Sequence, residues 1–253
     1  MKNLVLLEQI GAITTLTLNR PDRHNSLVPE LLEDLVSKLN FIHDNPQNKV
    51  VVLKANGRSF STGGDIQSFY DHRNDIVSYA ELLVGLLNQA ILSMINLPIP
   101  VVTAVNGIVT GGSLGLVLAS DIVLIAPESS FTPYYGIVGF SPDGGWTALL
   151  PSIIGQRRTA EILLNNRTIT AQEALLWGLA HQIVPQMQLH EKTLQTAKEI
   201  LQLAPGTMKS TKSLLRNNWD DLAAKLEVER ELFIEQVKTE DAMKGMASFL
   251  NLI

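Results

Sequence analysis

The chain has 253 residues, 20 Lys and Arg against 25 Asp and Glu, and 45% apolar residues. That is material for one large domain or a core with an appendage, and it excludes disorder as the main state. A net charge of −5 argues against the clustered basic footprint of a nucleic-acid binder, and the absence of cysteine excludes disulfides, thiolate metal sites and cysteine nucleophiles together.

Residues 4–9 and 12–18, split by Gly11, read as a hairpin of two strands. Glu8 interrupts the apolar patch there, so the segment is expected to be a strand rather than a signal peptide, with a cytoplasmic location as the default. Pro29 opens a predicted helix over residues 29–43, whose stripe is Leu31, Leu32, Leu35, Val36 and Leu39. Asn45-Pro46 stops it, and residues 50–53 are a buried strand. No Asp, Glu, Lys or Arg occurs from Leu82 to Ser120. Length would permit a membrane span, but Asn88, Asn96, Pro98, Pro100, Asn106 and Gly107 break the run. It reads instead as a buried helix, a strand over 101–105 and a glycine-rich turn into a helix over 113–120, with a further strand over 122–125. Beyond about residue 150 strand signals fade and helical periodicity takes over. Thr170 is placed as the cap of a helix to Trp177, followed by helices over 189–203, 205–217 and 220–238. The layout is an α/β core with a helical C-terminal part.

Gly107 and Gly112 imitate half of a phosphate-binding loop, but Ser113 stands where its lysine is required. The five histidines, His24, His43, His72, His181 and His190, form no metal-ligand pair at helical spacing. Gly111-Gly112-Ser113-Leu114-Gly115 fits a G-x-S-x-G elbow, and Asp143 with His181 or His190 would follow in the order of a serine hydrolase. The same small residues also suit the close approach of a helix start to a strand, with Ser113 as its cap. A second glycine-rich turn, Thr62-Gly63-Gly64-Asp65, again lies between a strand and a helix. Either turn alone is explained by local geometry, but two such turns can supply one N–H each to a single developing oxyanion, an arrangement that stabilises an enolate or a tetrahedral intermediate.

Asn19-Arg20-Pro21 with Asn25-Ser26-Leu27, residues 60–66, Val105-Asn106-Gly107 with Gly111-Gly112, Pro142-Asp143-Gly144-Gly145, Thr170 to Ala174 with Trp177-Gly178-Leu179, and Gly245-Met246 with Phe249 occur in this order along the chain. Together they resemble the enoyl-CoA hydratase/isomerase (crotonase) superfamily over nearly the whole length. The resemblance implies a ClpP/crotonase-like spiral of ββα units over residues 1–195 and a helical trimerisation region over 196–253, assembled as a homotrimer or as a hexamer of two trimers. It implies an acyl-CoA thioester as substrate, with coenzyme A carried by the substrate and no separate cofactor; from composition and spacing, no metal and no nucleic-acid or membrane partner is expected. Gly64 and Gly112 fall where the family grips the thioester carbonyl. Arg23, His24, Thr62, Asp65 and Ile66 fall where it holds coenzyme A, although Asp65 is equally suited to cap the helix that follows.

One departure bears on the reaction. The two glutamates with which the family's hydratases add water align with Gly115 and Tyr135, and neither is a carboxylate. The remaining candidate is Asp143, expected to face the acyl end of the pocket as acid and base for double-bond isomerisation. Hydratase-type, hydrolase and dehalogenase chemistry on the same fold, a catalytically silent thioester binder, and a plain helix cap at Asp143 stay open. Tyr135 is expected to line the acyl pocket or to donate a hydrogen bond there.

Overall fold

The computed structural model describes residues 3–216 and 221–252. Asn217 and Asp220, expected at the facing ends of two helices, lie outside them. Strand β1 (Val5–Ile10) turns through Gly11, at φ +60°, into β2 (Ile13–Leu18), and the pair is antiparallel as expected. Helix α1 (Pro29–Asp44) starts on its proline and buries the predicted stripe together with Ile42. Then come β3 (Val50–Ala55), α2 (Ile66–Asp71), α3 (Ile76–Asn96), β4 (Val101–Val105), β5 (Ile108–Thr110), α4 (Leu114–Leu118), β6 (Ile122–Ile125), β7 (Ser130–Thr132) and α5 (Tyr135–Val138). Two successive strand–strand–helix units, β4-β5-α4 and β6-β7-α5, make the expected spiral visible.

The larger sheet has the order β1-β2-β3-β4-β6, closed at its far edge by a two-residue strand β9 (Gln182–Ile183), and every pair after the first is parallel. Parallel strands covered on both faces are apolar throughout, and alternate residues enter different layers. Val51, Leu53, Val101, Val105, Val123 and Ile125 join the core that contains α1 and α3. Val50, Val52, Val102, Ala104 and Leu124 face the opposite layer, around Leu189 and Ala197. A second sheet pairs β5 with β7 and β7 with the two-residue strand β8 (Ile169–Thr170).

The C-terminal part comprises α6 (Leu150–Ile154), α7 (Gln156–Leu164), β8 (Ile169–Thr170), α8 (Ala171–Leu176), β9 (Gln182–Ile183), α9 (Gln186–Leu201), α10 (Pro205–Arg216), α11 (Leu222–Val237) and α12 (Glu240–Phe249). Thr170 and Glu173 form a reciprocal capping box at the start of α8. The proposed division at residue 195 falls inside α9, a continuous helix. The helix expected over 113–120 is shorter than its sequence suggests: a single tight turn at Gly111–Ser113 leads into α4, which stops at Leu118. Helix α3 is apolar and long enough to cross a membrane by length and composition alone. In the fold it packs on α1 and α11, burying Tyr79, Leu83, Val84, Leu87, Ile91 and Met94.

Candidate active site

The two glycine-rich turns meet edge to edge. The Ser61 N–H donates to the Ile108 carbonyl at 3.2 Å and the Thr110 N–H donates back to Ser61 at 3.1 Å. Gly63, at φ +72°, lies so close that a Cβ on it would sit 2.6 Å from the Thr110 carbonyl oxygen. Only glycine admits that contact and that backbone angle together. On the far side Leu27 donates to the Gly63 carbonyl and accepts from Asp65, bracketing Gly64 without using the Gly64 N–H. Gly112 occupies the first turn of its short helix, where an N–H has no intrahelical partner.

Asp143 stands beside Gly112: a Cβ on Gly112 would be 2.8 Å from Asp143 Oδ1. The carboxyl is 6% exposed, and its Oδ1 accepts the Tyr135 hydroxyl at 2.6 Å. Burial, and after it the negative charge of Glu229, pushes Asp143 up to about 7, against the opposing hydrogen bond from Tyr135. The Tyr135 hydroxyl is itself driven well above its ordinary value, by burial first and then by Asp143, so it stays a donor. The helix-cap reading of Asp143 does not hold, because its side chain bonds Tyr135 and α6 begins only at Leu150.

Position 115 has no room for a side chain. A Cβ on Gly115 would lie 2.4 Å from Ile91 Cδ1 and 2.6 Å from the Gly144 carbonyl oxygen, so a glutamate could enter only by displacing the Asp143 turn. At the other hydratase position Tyr135 presents a phenol.

One cavity of about 490 Å³ is lined by the nine residues placed at the site through the family resemblance: Gly64, Gly112, Asp143, Arg23, His24, Thr62, Asp65, Ile66 and Tyr135. Its apolar end is walled by Phe69, Phe140 and Phe233, whose ring centroids lie 5.1–5.9 Å apart. At the polar end the Asp65 side chain is already committed. It accepts from Arg20 at 2.8 Å, from Arg23 at 3.1 Å and from the Ser68 N–H at 3.3 Å, capping α2. Burial alone would raise the Asp65 carboxyl, but Arg20 and Arg23 outweigh it and hold the group below the usual carboxylate range. What Asp65 offers the cavity is therefore its position and main chain more than a free carboxylate. The His24 ring contacts Arg58 Nη2 at 2.9 Å and Ser59 Oγ at 3.2 Å.

The serine-hydrolase order is broken in space. Ser113 is fully buried, and its one hydroxyl proton is shared between the Thr110 carbonyl at 2.7 Å and the Ser61 carbonyl at 3.1 Å. It forms no side-chain cap either. His181 accepts the Val123 N–H through Nδ1, and His190 lies beside Lys54. The sequence reading missed Glu229, a buried carboxylate on α11 that binds the Asp143 turn. A signal was present: Leu222, Leu226, Glu229, Phe233 and Val237 are the buried stripe of α11, and a glutamate at a core position of a helix calls for a partner.

The sequence profile described as Enoyl-CoA hydratase/isomerase matches residues 8–252. The 1,2-epoxyphenylacetyl-CoA isomerase of Escherichia coli K12 is 28% identical over 254 residues, covering 99% of this chain and 96% of the relative. The 4-chlorobenzoyl coenzyme A dehalogenase-2 of an Arthrobacter species is 27% identical over 197 residues, 78% of this chain and 71% of that one. Among solved structures, an enoyl-CoA hydratase/isomerase from Mycobacterium paratuberculosis superposes with a TM-score of 0.91 at 28% identity, covering 98% of this chain and 99% of its own.

Proposed function

The chain belongs to the enoyl-CoA hydratase/isomerase family, the crotonase superfamily of acyl-CoA-processing enzymes, and from that premise we propose that it isomerises an unsaturated acyl-CoA with Asp143 as its acid and base. The observation that carries the proposal is the Asp143–Tyr135 pair beside Gly112, next to a position 115 closed to any carboxylate. The thioester carbonyl is held by the N–H groups of Gly64 and Gly112, each worth about 3–4 kcal/mol to the developing enolate oxygen. Asp143 as carboxylate takes a proton from the α- or γ-carbon of the acyl group, which leaves a dienolate, and as acid it returns the proton to the other of those carbons; the double bond moves and no atom is gained or lost. A group that titrates near 7 suits both halves of this exchange at neutral pH. Dehalogenation, the reaction named for the Arthrobacter relative, would in this site start from attack by the Asp143 anion and make no use of its acid form, and burial disfavours that anion. Arg23, His24, Thr62, Asp65 and Ile66 hold the coenzyme A end in this reading, largely through main chain.

Unsaturated acyl-CoAs incubated with the protein in D₂O should exchange α or γ protons, and Asp143→Asn should slow both exchange and isomerisation by roughly 10²–10⁴-fold. Exchange that continues undiminished in Asp143→Asn removes Asp143 from the role. Tight binding of acyl-CoAs without exchange or turnover across a broad panel of acyl groups identifies a silent binder instead. The homotrimer or hexamer belongs to the same proposal and is measured by sedimentation equilibrium.

A further inference from the structure

Glu229 lies 4% exposed on α11, in the C-terminal helical part of the chain, yet its carboxylate serves a turn more than eighty residues upstream. Its Oε2 accepts the Gly145 N–H at 2.8 Å. Its Oε1 accepts the Thr147 N–H at 2.7 Å, the Thr147 hydroxyl at 2.7 Å and the Ala148 N–H at 2.9 Å. Residues 144–149 form a run of turns with no regular helix of its own, so these bonds satisfy backbone donors that would otherwise be buried without partners. The turn is fastened on its other side too. Trp146 Nε1 donates to the Gly111 carbonyl at 2.8 Å, and Gly144 lies against Gly112 so closely that a Cβ on it would meet the Gly112 carbonyl oxygen at 2.3 Å. Helix α11 is tied to α3 by Asn88 Nδ2, which donates to the Leu226 carbonyl at 3.0 Å.

We propose that Glu229 is the positioning residue for Asp143: from α11 it fixes the turn that carries the acid/base carboxyl against Gly112, and it imposes on that carboxyl a negative potential. The proposal rests on the isomerase reading for its kinetic arm only. The groups facing Asp143 are Tyr135 from α5, which donates to it, and Glu229 from α11, which repels its anion; α3 presents Leu87 and the oxyanion turn presents the main chain of Gly112. Removing the Glu229 charge therefore lowers the pH at which Asp143 ionises.

The test is an infrared titration of the Asp143 carboxyl, assigned by the band lost in Asp143→Asn, alongside pH profiles of kcat/KM. Glu229→Gln should move the Asp143 midpoint down by roughly one pH unit, whereas Glu229→Asp, which keeps the charge, should leave it close to the wild-type midpoint. Thr147→Val removes one donor from an exposed side chain and leaves the charge in place; kcat should fall roughly 3–10-fold with KM unchanged. A midpoint unmoved in a folded Glu229→Gln overturns the electrostatic half. Unchanged kcat in Thr147→Val overturns the positioning half, and that variant remains informative even if Glu229→Gln does not fold. Because the titration needs no turnover, it reads Glu229 whether or not the protein proves to be an isomerase.

Discussion

Asp143 is a carboxyl in a place that disfavours its charge, and that conflict is measurable apart from catalysis. Its midpoint of about 7 in the fold exceeds the ordinary carboxylate value of 3.8, so the folded state binds the proton more tightly than the unfolded state. Stability from this group is intact below the unfolded value and is lost as pH rises toward 7. Asp143→Asn, which cannot ionise and still offers Oδ1 to Tyr135, should therefore raise the melting temperature at pH 8 and lose that advantage at pH 4. Tyr135→Phe acts in the opposite sense to Glu229→Gln. It deletes the hydrogen bond that lowers Asp143, so the acidic limb of kcat/KM should move to higher pH, by roughly one unit; a limb that stays in place would mean that Tyr135 only lines the pocket. At this scale Gly64, Gly112 and Asp143 were legible because each sits in a short motif whose neighbours announce a turn. The Tyr135–Asp143 hydrogen bond was less so, since it joins side chains eight residues apart across an irregular loop.

Among the elements, α2 shows how a short helix is held at a functional position. It has six residues and buries Phe69 alone, too little to be stable by propensity. What fixes its start is Asp65, which caps it while paired to Arg20 and Arg23, and the residue before that cap is Gly64. Asp65→Asn retains an acceptor for the cap but loses both ion pairs. It should cost roughly 1–3 kcal/mol in urea unfolding at pH 7 and raise KM for the acyl-CoA as the Gly64 N–H loses its setting. The sign with pH follows from the lowered carboxyl: its stabilising contribution is present above 3.8 and disappears as pH falls through the folded midpoint, so wild type and variant should converge in acid. Equal stability at pH 7 would show that the cap alone holds α2. The periodic elements, β1 to β4 and α1, α3 and α9, were readable because an apolar stripe or run records which face is buried. The two-residue strands β8 and β9 and the short helices α5 and α6 were not, since four or five residues hold too little periodicity and their form comes from the surroundings.

At the scale of the whole molecule, sequence motifs give chain order but not the contact that brings the C-terminal helices to the cavity. Phe233 from α11 and Phe249 at the end of α12 both line it, and α12 is seated on α5 by backbone contact. A Cβ on Gly245 would lie 2.4 Å from the Val138 carbonyl oxygen, and one on Gly139 would lie 2.5 Å from the carbonyl oxygen of Asp241. Helix propensity and packing therefore make opposite predictions for Gly245→Ala. Propensity at a helix interior favours alanine by about 1 kcal/mol, but the obstruction is main chain at both partners and cannot rotate away. Overpacking of that kind costs roughly 1–3 kcal/mol, so packing prevails: Gly245→Ala should lower the melting temperature, and KM should rise as α12 lifts Phe249 from the cavity. Gly85, inside α3 with nothing within 4 Å of a built Cβ, supplies the control, and Gly85→Ala should be stabilising by about 0.5–1 kcal/mol. If both substitutions stabilise, α12 is free to move away from α5 and the cavity wall does not depend on their contact; if Gly85→Ala stabilises and Gly245→Ala destabilises with a raised KM, the C-terminal helix is part of the binding site.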